Sequence, residues 1–130
     1  MTSRVESESG RRAAVHRVEE FLDAHELAAP SLAELCAIAG VGERTLEYAF
    51  RELLGMPPVR YLRLRRLNRV RSELRAAEPA TTRVTDVATR WGFWQLGRFA
   101  SEYRALFGEY PSETLSGRRR STAARGRASR

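Results

Sequence analysis

A chain of 130 residues with 23 basic and 16 acidic side chains carries a formal net charge of +7, and it contains no lysine. This length supports one or two small domains with limited cores, and the positive excess favours a polyanionic partner. The single cysteine excludes an internal disulfide, and no apolar run approaches the length of a membrane span or of a signal-peptide core. The exclusive use of arginine suits bidentate contact with phosphate or guanine. A bias in genomic base composition would explain the absence of lysine equally well.

The first predicted element is a helix that starts at Arg11. Residues 1–10 are polar and show no periodicity, so we expect a disordered lead-in. From Arg11 onward, apolar side chains recur at helical spacing up to a break at Pro30. Ser31 and Glu34 then form a capping-box pattern, which predicts a second helix that ends at Gly40.

A third helix is predicted from Glu43 to Leu54, with Gly55 as its C-terminal cap. Its inner face is expected to consist of Leu46, Ala49, Phe50 and Leu53. Pro57 and Pro58 can begin a helix but cannot lie in its interior, so a fourth helix is expected over residues 57–77. The apolar stripe of this fourth helix consists of Leu64, Leu67, Val70 and Leu74, and we interpret the helix as a rigid connector.

Three shorter elements are predicted after a polar loop at residues 78–83. One helix is expected to end near Trp91, a longer one to run from about Gln95 to Phe107, and a last one to begin near Pro111. Residues 117–130 contain six arginines among Ser, Ala, Gly and Thr. Because such a composition cannot bury enough apolar surface to order itself, we expect a disordered tail.

Residues 31–58 and 83–111 are two imperfect copies of one helical unit. In the first half of the unit, Leu32, Glu34, Leu35, Gly40 and Val41 correspond to Val84, Asp86, Val87, Gly92 and Phe93. In the second half, Leu46, Phe50, Arg51, Leu54, Gly55 and Pro58 correspond to Phe99, Tyr103, Arg104, Phe107, Gly108 and Pro111, with one extra residue in between. The extra residue falls in the turn between two helices, where it moves no apolar position to the wrong helix face.

Each copy combines a short helix, a glycine turn and a longer helix with a partly polar outer face, which is the plan of a helix-turn-helix motif. The second helix of that motif enters the major groove of DNA. The second copy, with Trp91, Gly92, Phe93, Phe99, Tyr103, Arg104, Phe107, Gly108 and Pro111, resembles the C-terminal signature of the AraC/XylS family of bacterial transcription regulators. The first copy and the connector agree through Arg44, Leu46, Phe50, Gly55, Pro58, Tyr61, Leu62, Arg66 and Leu67.

The resemblance covers about residues 12–115 and implies an all-α fold of about seven helices. We expect a DNA-binding domain over residues 11–116. Its two helix-turn-helix motifs would occupy residues 31–55 and 83–108, and the connector helix would join them.

In the first copy, the face opposite the apolar stripe presents Arg44, Glu47, Tyr48 and Arg51. Arg44 has the chemistry to chelate guanine, Glu47 to accept from cytosine, and Tyr48 to touch a thymine methyl group or a phosphate. The resemblance places Arg44, Glu47 and Tyr48 at base-contacting positions as well. The alternative interpretation is a solvated polar face.

In the second copy, the face opposite Phe99, Tyr103 and Leu106 presents Gly97, Arg98, Ser101 and Arg104. Most side chains on this face are small, so we expect sequence specificity there to depend on Arg98, Ser101 and DNA shape. We expect Arg104 to contact a phosphate. Gln95 and Gly97 depart from the small hydroxyl residues that the family usually has there, which leaves the start of this helix open. We therefore hypothesise that the first copy dominates sequence choice.

Neither a catalytic centre nor a cofactor or metal site is predicted. Cys36 lies one helical turn after Leu32 and is interpreted as structural, and His16 and His25 have no partners at ligand spacing. There is no phosphate-binding glycine loop and no serine elbow. Two interpretations of Trp94 remain, namely a contact with the phosphate backbone of DNA and simple exposure to solvent. We expect no enzyme activity.

The sequence thus predicts a soluble, cytoplasmic, nucleoid-associated regulator that binds double-stranded DNA. By analogy with paired half-sites, two recognition helices would enter major-groove segments about 34 Å apart, so that a monomer reads an asymmetric site. One alternative is a helical protein-interaction module, for instance one that docks on RNA polymerase, whose marker would be an exposed apolar patch. Another is the DNA-binding fragment of a longer regulator or of a repair enzyme, because family members usually carry a sensor or dimerisation domain before the DNA-binding part.

Overall fold

The computed structural model describes residues 2–117, with side chains from residue 8 onward, and within that part the chain forms seven α-helices and no strand. They are α1 (Thr2–Ala24), α2 (Leu32–Ala39), α3 (Glu43–Leu54), α4 (Pro58–Ala76), α5 (Val84–Arg90), α6 (Leu96–Phe107) and α7 (Pro111–Ser116). The predicted all-α class is confirmed, and the predicted bounds of α2 to α7 agree closely. Of the predicted disordered tail, Gly117 is the C-cap of α7, and residues 118–130 lie outside the described part.

Helix α1 begins at Thr2, nine residues before the predicted start at Arg11, so residues 2–10 differ from the expected disordered lead-in. Apolar periodicity marks the buried face of a helix, and among the side chains described, from residue 8 onward, the first buried one in α1 is that of Ala14. Extending an existing helix adds one hydrogen bond per residue without a new nucleation step, and no proline interrupts residues 2–10. The sequence of residues 2–10 has no apolar periodicity, so a helical extension there gives no signal in the sequence pattern.

The chain divides into two compact units, residues 1–64 and 65–130, and the boundary lies inside α4. In the first unit, α1 packs on α2 and α3 around a core of Ala14, Val15, Val18, Leu22, Leu35, Ala39, Leu46, Ala49, Phe50 and Leu62. The predicted capping box is confirmed, because the Glu34 amide donates to Ser31 Oγ at 3.1 Å and the Ser31 amide donates to the Glu34 carboxylate at 3.3 Å. The far end of α2 is closed by Arg17, which donates to the Ala39 carbonyl at 2.9 Å.

The second unit buries an aromatic series together with aliphatic side chains of α4 and α5. Its buried residues include Leu67, Val70, Leu74, Val87, Ala88, Trp91, Phe93, Phe99 and Tyr103. Ring centroids are 4.9 Å apart for Phe93 and Phe99, and 5.8 Å apart for Phe99 and Tyr103. Glu73 accepts a hydrogen bond from the Trp91 indole at 2.9 Å and forms an ion pair with Arg90.

The two copies share backbone geometry as well as sequence pattern. The turn after the first helix contains a left-handed glycine in both, with φ of 73° at Gly40 and 89° at Gly92. A residue with a Cβ is strained at such angles, which accounts for glycine at both turns. Helices α3 and α6 each have 12 residues. The structure therefore contains the same helix-turn-helix plan twice.

Two residues predicted to face inward are exposed. Leu53 is 37% exposed and Leu106 is 43% exposed, whereas their neighbours Leu54 and Phe107 are partly buried. The buried stripe of α3 continues from Phe50 in a step of four residues, which rotates slightly past a full turn, and so it reaches Leu54 rather than Leu53. The same error occurs at the matching end of both copies.

Candidate DNA-binding helices

Helix α3 separates buried and exposed faces sharply. Leu46, Ala49 and Phe50 are buried on one side. Of the four predicted DNA-binding residues, Arg44, Tyr48 and Arg51 are exposed and Glu47 is half-buried. The apolar face fixes the rotation of the helix against α1 and α2, so these four side chains share the free face.

The charged side chains of this face make few and weak contacts among the described residues. The Glu47 carboxylate lies 3.9 Å from Arg51 Nε, a contact between residues one turn apart. Pairs of this kind on a surface contribute little, so both groups remain available to a partner. Among the described residues, the Arg44 guanidinium has no hydrogen-bond or ion-pair partner. Arg44 therefore presents a complete donor fork.

Tyr48 has a neighbour that sequence reasoning missed. Arg11, on α1, places its guanidinium 5.1 Å from the centroid of the Tyr48 ring. Its Nε also lies 3.0 Å from a carboxylate oxygen of Glu52 on α3. The contact joins residues that are distant in the chain, and no local pattern around Arg11 indicates it.

Beside this contact is an open pocket of about 390 Å³ between α1 and α3. It is lined by Gly10, Arg11, Val41, Arg44, Thr45 and Tyr48. Two guanidinium groups, one hydroxyl and one phenol ring thus surround a space next to the outward face of α3.

Helix α6 also buries one side and exposes the other. Phe99 and Tyr103 are buried. All four predicted DNA-binding residues of this copy, Gly97, Arg98, Ser101 and Arg104, are exposed. The helix begins at Leu96 with Gln95 as its N-cap, which settles the start that the sequence left open, and Gln95 makes no side-chain capping hydrogen bond.

The two arginines of α6 are more tightly held than Arg44. Arg98 Nε donates to Glu102 at 2.9 Å, and the Arg104 guanidinium lies 5.0 Å from the centroid of the Tyr110 ring. Arg104, Ser101 and Tyr110, together with Ala105 and Gly108, line a pocket of about 290 Å³. Sequence reasoning did not identify Tyr110 as the neighbour of Arg104, because it lies beyond the end of the helix.

Cys36, the one cysteine of the sequence, is partly buried. Burial raises the pKa of the Cys36 thiol, and the nearby carboxylates of Glu43 and Glu47 raise it further, so the unreactive thiol form is favoured. Among the described side chains, those of residues 8–117, no group of three or more His, Cys, Asp or Glu is placed to hold a metal ion. None of the described helices combines the length and apolar character that crossing a membrane requires.

A family model described as a helix-turn-helix domain matches residues 35–117. The crystal structure of a probable AraC family transcriptional regulator from Rhodopseudomonas palustris is 38% identical in sequence, with a TM-score of 0.70. The match covers 79% of this chain and 94% of that one. The chain belongs to the AraC/XylS family. A regulator from Chromobacterium violaceum, described as containing an AraC-type DNA-binding domain, is 26% identical with a TM-score of 0.74, over 85% of this chain and 96% of that one.

Two curated relatives are named as operon regulators. The "Probable thc operon regulatory protein" of Rhodococcus erythropolis is 41% identical over 96 residues, and the "XylDLEGF operon transcriptional activator 2" of Pseudomonas putida is 39% identical over 100 residues. The matches cover 74% and 77% of this chain but only 29% and 64% of those relatives. The fold is that of a DNA-binding domain, and the relatives are named as transcription regulators rather than as enzymes.

Proposed function

We propose that this AraC/XylS-family chain recognises a specific sequence of double-stranded DNA and regulates transcription by inserting α3 and α6 into major-groove segments. The observation that carries the proposal is the repeated unit. In each copy, a 12-residue helix follows a glycine turn, buries its inner face and exposes polar side chains at the predicted DNA-binding positions. Family membership supports the same use of both helices.

The two helices have different chemistry, which supports a division of labour. Arg44, Glu47 and Tyr48 offer a donor fork, an acceptor and an aromatic ring, the groups that distinguish base edges in the major groove. Helix α6 offers Gly97 and Ser101, which allow close approach, and an Arg98 that Glu102 already engages. We infer that α3 selects the sequence and that α6 anchors the chain, with Arg104 on phosphate and Arg51 beside the base-reading residues.

The DNA-binding domain would span about residues 11–116. Because one chain carries two copies of the unit, a monomer would read an asymmetric site in two segments about one helical turn apart. Its place would be on the nucleoid in the cytoplasm. RNA polymerase is a second proposed partner, for which Leu53 and Val59, 37% and 58% exposed, offer apolar side chains in the first unit.

The test of this division begins with selection of bound duplexes from a random DNA pool at a fixed salt concentration. The selected site is then altered by scrambling one half at a time, and the affinity of the full chain for each altered duplex is measured. Scrambling the segment read by α3 is expected to cost more affinity than scrambling the other segment. Equal losses would contradict the division, and a pool without an enriched sequence would contradict sequence-specific binding.

A further inference from the structure

Arg11 is a charged residue held against the outward face of α3 by two contacts. Its side chain is only 18% exposed, so its charge has lost much of its hydration and needs partners. Glu52 supplies an ion pair at 3.0 Å, and the face of the Tyr48 ring lies 5.1 Å from the guanidinium carbon. The ion pair with Glu52 restrains the Arg11 guanidinium. The cation–π contact then restrains the Tyr48 ring relative to that guanidinium.

Among the described residues, Arg11 is the one whose side chain makes a ring contact with Tyr48. The Tyr48 side chain belongs to a residue that is 59% exposed, on the free face of α3. An exposed side chain samples several rotamers, and ordering it on binding costs free energy. A cation above one ring orientation lowers the energy of that orientation relative to the others. The contact therefore favours one orientation of the Tyr48 ring in the protein without DNA.

Arg11 and the Tyr48 ring that it restrains lie next to Arg44, a candidate base-reading residue of α3. Arg11 and Tyr48 line the same pocket as Arg44 and Thr45, so the Tyr48 ring lies near the Arg44 guanidinium of α3. Arg11 lies outside residues 35–117, the part that the helix-turn-helix family model matches. The contact is thus supplied by α1, from outside the helix-turn-helix motif.

We propose that Arg11 is a positioning residue that sets the base preference of α3 by holding the Tyr48 ring. The inference rests on the proposed function, because it requires Tyr48 to read DNA. It adds a specificity determinant on α1, at a residue that need not contact DNA.

The test measures the base preference of four variants of the full chain on a library of single substitutions in the selected site, at one salt concentration. Arg11→Met is expected to reduce discrimination about two- to fivefold at the base pairs where Tyr48→Ala reduces it, and at no others. Arg11→Lys keeps a cation near the ring and should restore most of the preference. Arg12→Met, the same change at the exposed neighbouring residue, should leave the preference unchanged.

The outcomes separate this inference from the function on which it rests. If Tyr48→Ala alters the preference and Arg11→Met does not, the positioning role is wrong while base reading by Tyr48 stands. If Arg11→Met weakens binding to every sequence equally, Arg11 acts through phosphate attraction or folding, and the positioning role is again contradicted. If Tyr48→Ala leaves the preference unchanged at every base pair, the role of Tyr48 in the proposed function fails as well.

Discussion

The four arginines at candidate DNA-contacting positions differ in what already engages them. Arg98 donates to Glu102 at 2.9 Å, Arg104 lies 5.0 Å from the Tyr110 ring, and Arg51 is 3.9 Å from Glu47. Arg44 has none of these contacts within the described residues. A guanidinium that keeps its whole donor fork is best suited to bidentate contact with guanine, whereas one already oriented by a neighbour suits a fixed phosphate. Arg44 is therefore the strongest candidate for direct base reading.

Replacing Arg44 tests that assignment. Arg44→Ala is expected to lower the ratio of specific to non-specific affinity by about 1 to 3 kcal/mol, since a good bidentate contact discriminates by that amount. Arg60→Ala removes the same charge from an exposed position on α4 and should leave the ratio unchanged. The measurement is a pair of titrations, with the selected duplex and with a shuffled one, at equal salt. An unchanged ratio for Arg44→Ala would assign this arginine to phosphate instead.

Tyr103 makes the stability of the second unit depend on pH. Burial raises the pKa of its phenol, although its hydrogen bond to Thr114 and the charge of Arg71 lower it in part. The neutral phenol donates to Thr114 at 2.8 Å, and Thr114 in turn donates to Glu109 at 2.5 Å. Because the folded pKa lies above the unfolded value, the stabilisation is complete below about pH 10 and is lost as the pH rises further.

The phenol can be removed without removing the ring. Tyr103→Phe should cost about 1 kcal/mol of unfolding free energy at neutral pH, because Thr114 loses a buried hydrogen bond. Above about pH 10 the variant should lose stability less steeply than the parent. Chemical denaturation at a series of pH values measures both effects. Parallel profiles for the two proteins would show that Tyr103 is not the titrating group.

At the scale of elements, turn and cap residues predicted helix bounds better than apolar patterns predicted faces. Ser31, Glu34 and Pro58 mark helix starts through local chemistry, which acts wherever the residues occur. Leu53 and Leu106 were placed on the wrong face because the buried stripe continues from Phe50 and Tyr103 in a step of four residues, to Leu54 and Phe107, rather than in a step of three. The start of α1 at Thr2 was missed because residues 2–10 show no apolar periodicity in the sequence.

Two glycines of the second unit should respond in opposite ways to alanine. Gly97 is the second residue of α6, and a Cβ there would meet no atom within 4 Å. Gly97→Ala should therefore raise the unfolding free energy by up to about 1 kcal/mol, through helix propensity. Gly92 has a φ of +89°, so Gly92→Ala should lower it by about 1 to 3 kcal/mol. Thermal unfolding compares the two, and a loss for Gly97→Ala would show that the start of α6 is not helical.

The duplication in the sequence predicted both helix-turn-helix motifs of the molecule. Helical periodicity within each copy then predicted the eight candidate DNA-binding residues. It could not predict the neighbours that hold those residues. The contact of Arg11 with Tyr48 depends on how α1 packs on α3, and that of Arg104 with Tyr110 depends on the chain beyond α6. Such contacts arise from tertiary packing, which no repeat or local spacing records.

The arginines of residues 118–130 should add a sequence-independent component to binding. Each phosphate that they neutralise contributes about 0.9 to the slope of log affinity against log salt. A chain that ends at Gly117 is therefore expected to show a shallower slope and an unchanged preference among sequences. Titrations of both chains from low to high salt measure the difference. An identical slope would show that these arginines take no part in binding.

This AraC/XylS-family chain is expected to recognise a DNA sequence rather than merely attach to polyanions through its net charge of +7. The most direct test compares the affinity of the full chain for its selected duplex with that for a shuffled duplex of equal composition, at about 0.15 M salt. We expect a preference of about a thousandfold or more for the selected duplex, as specific regulators show. Equal affinities for the two duplexes at the same salt would contradict it.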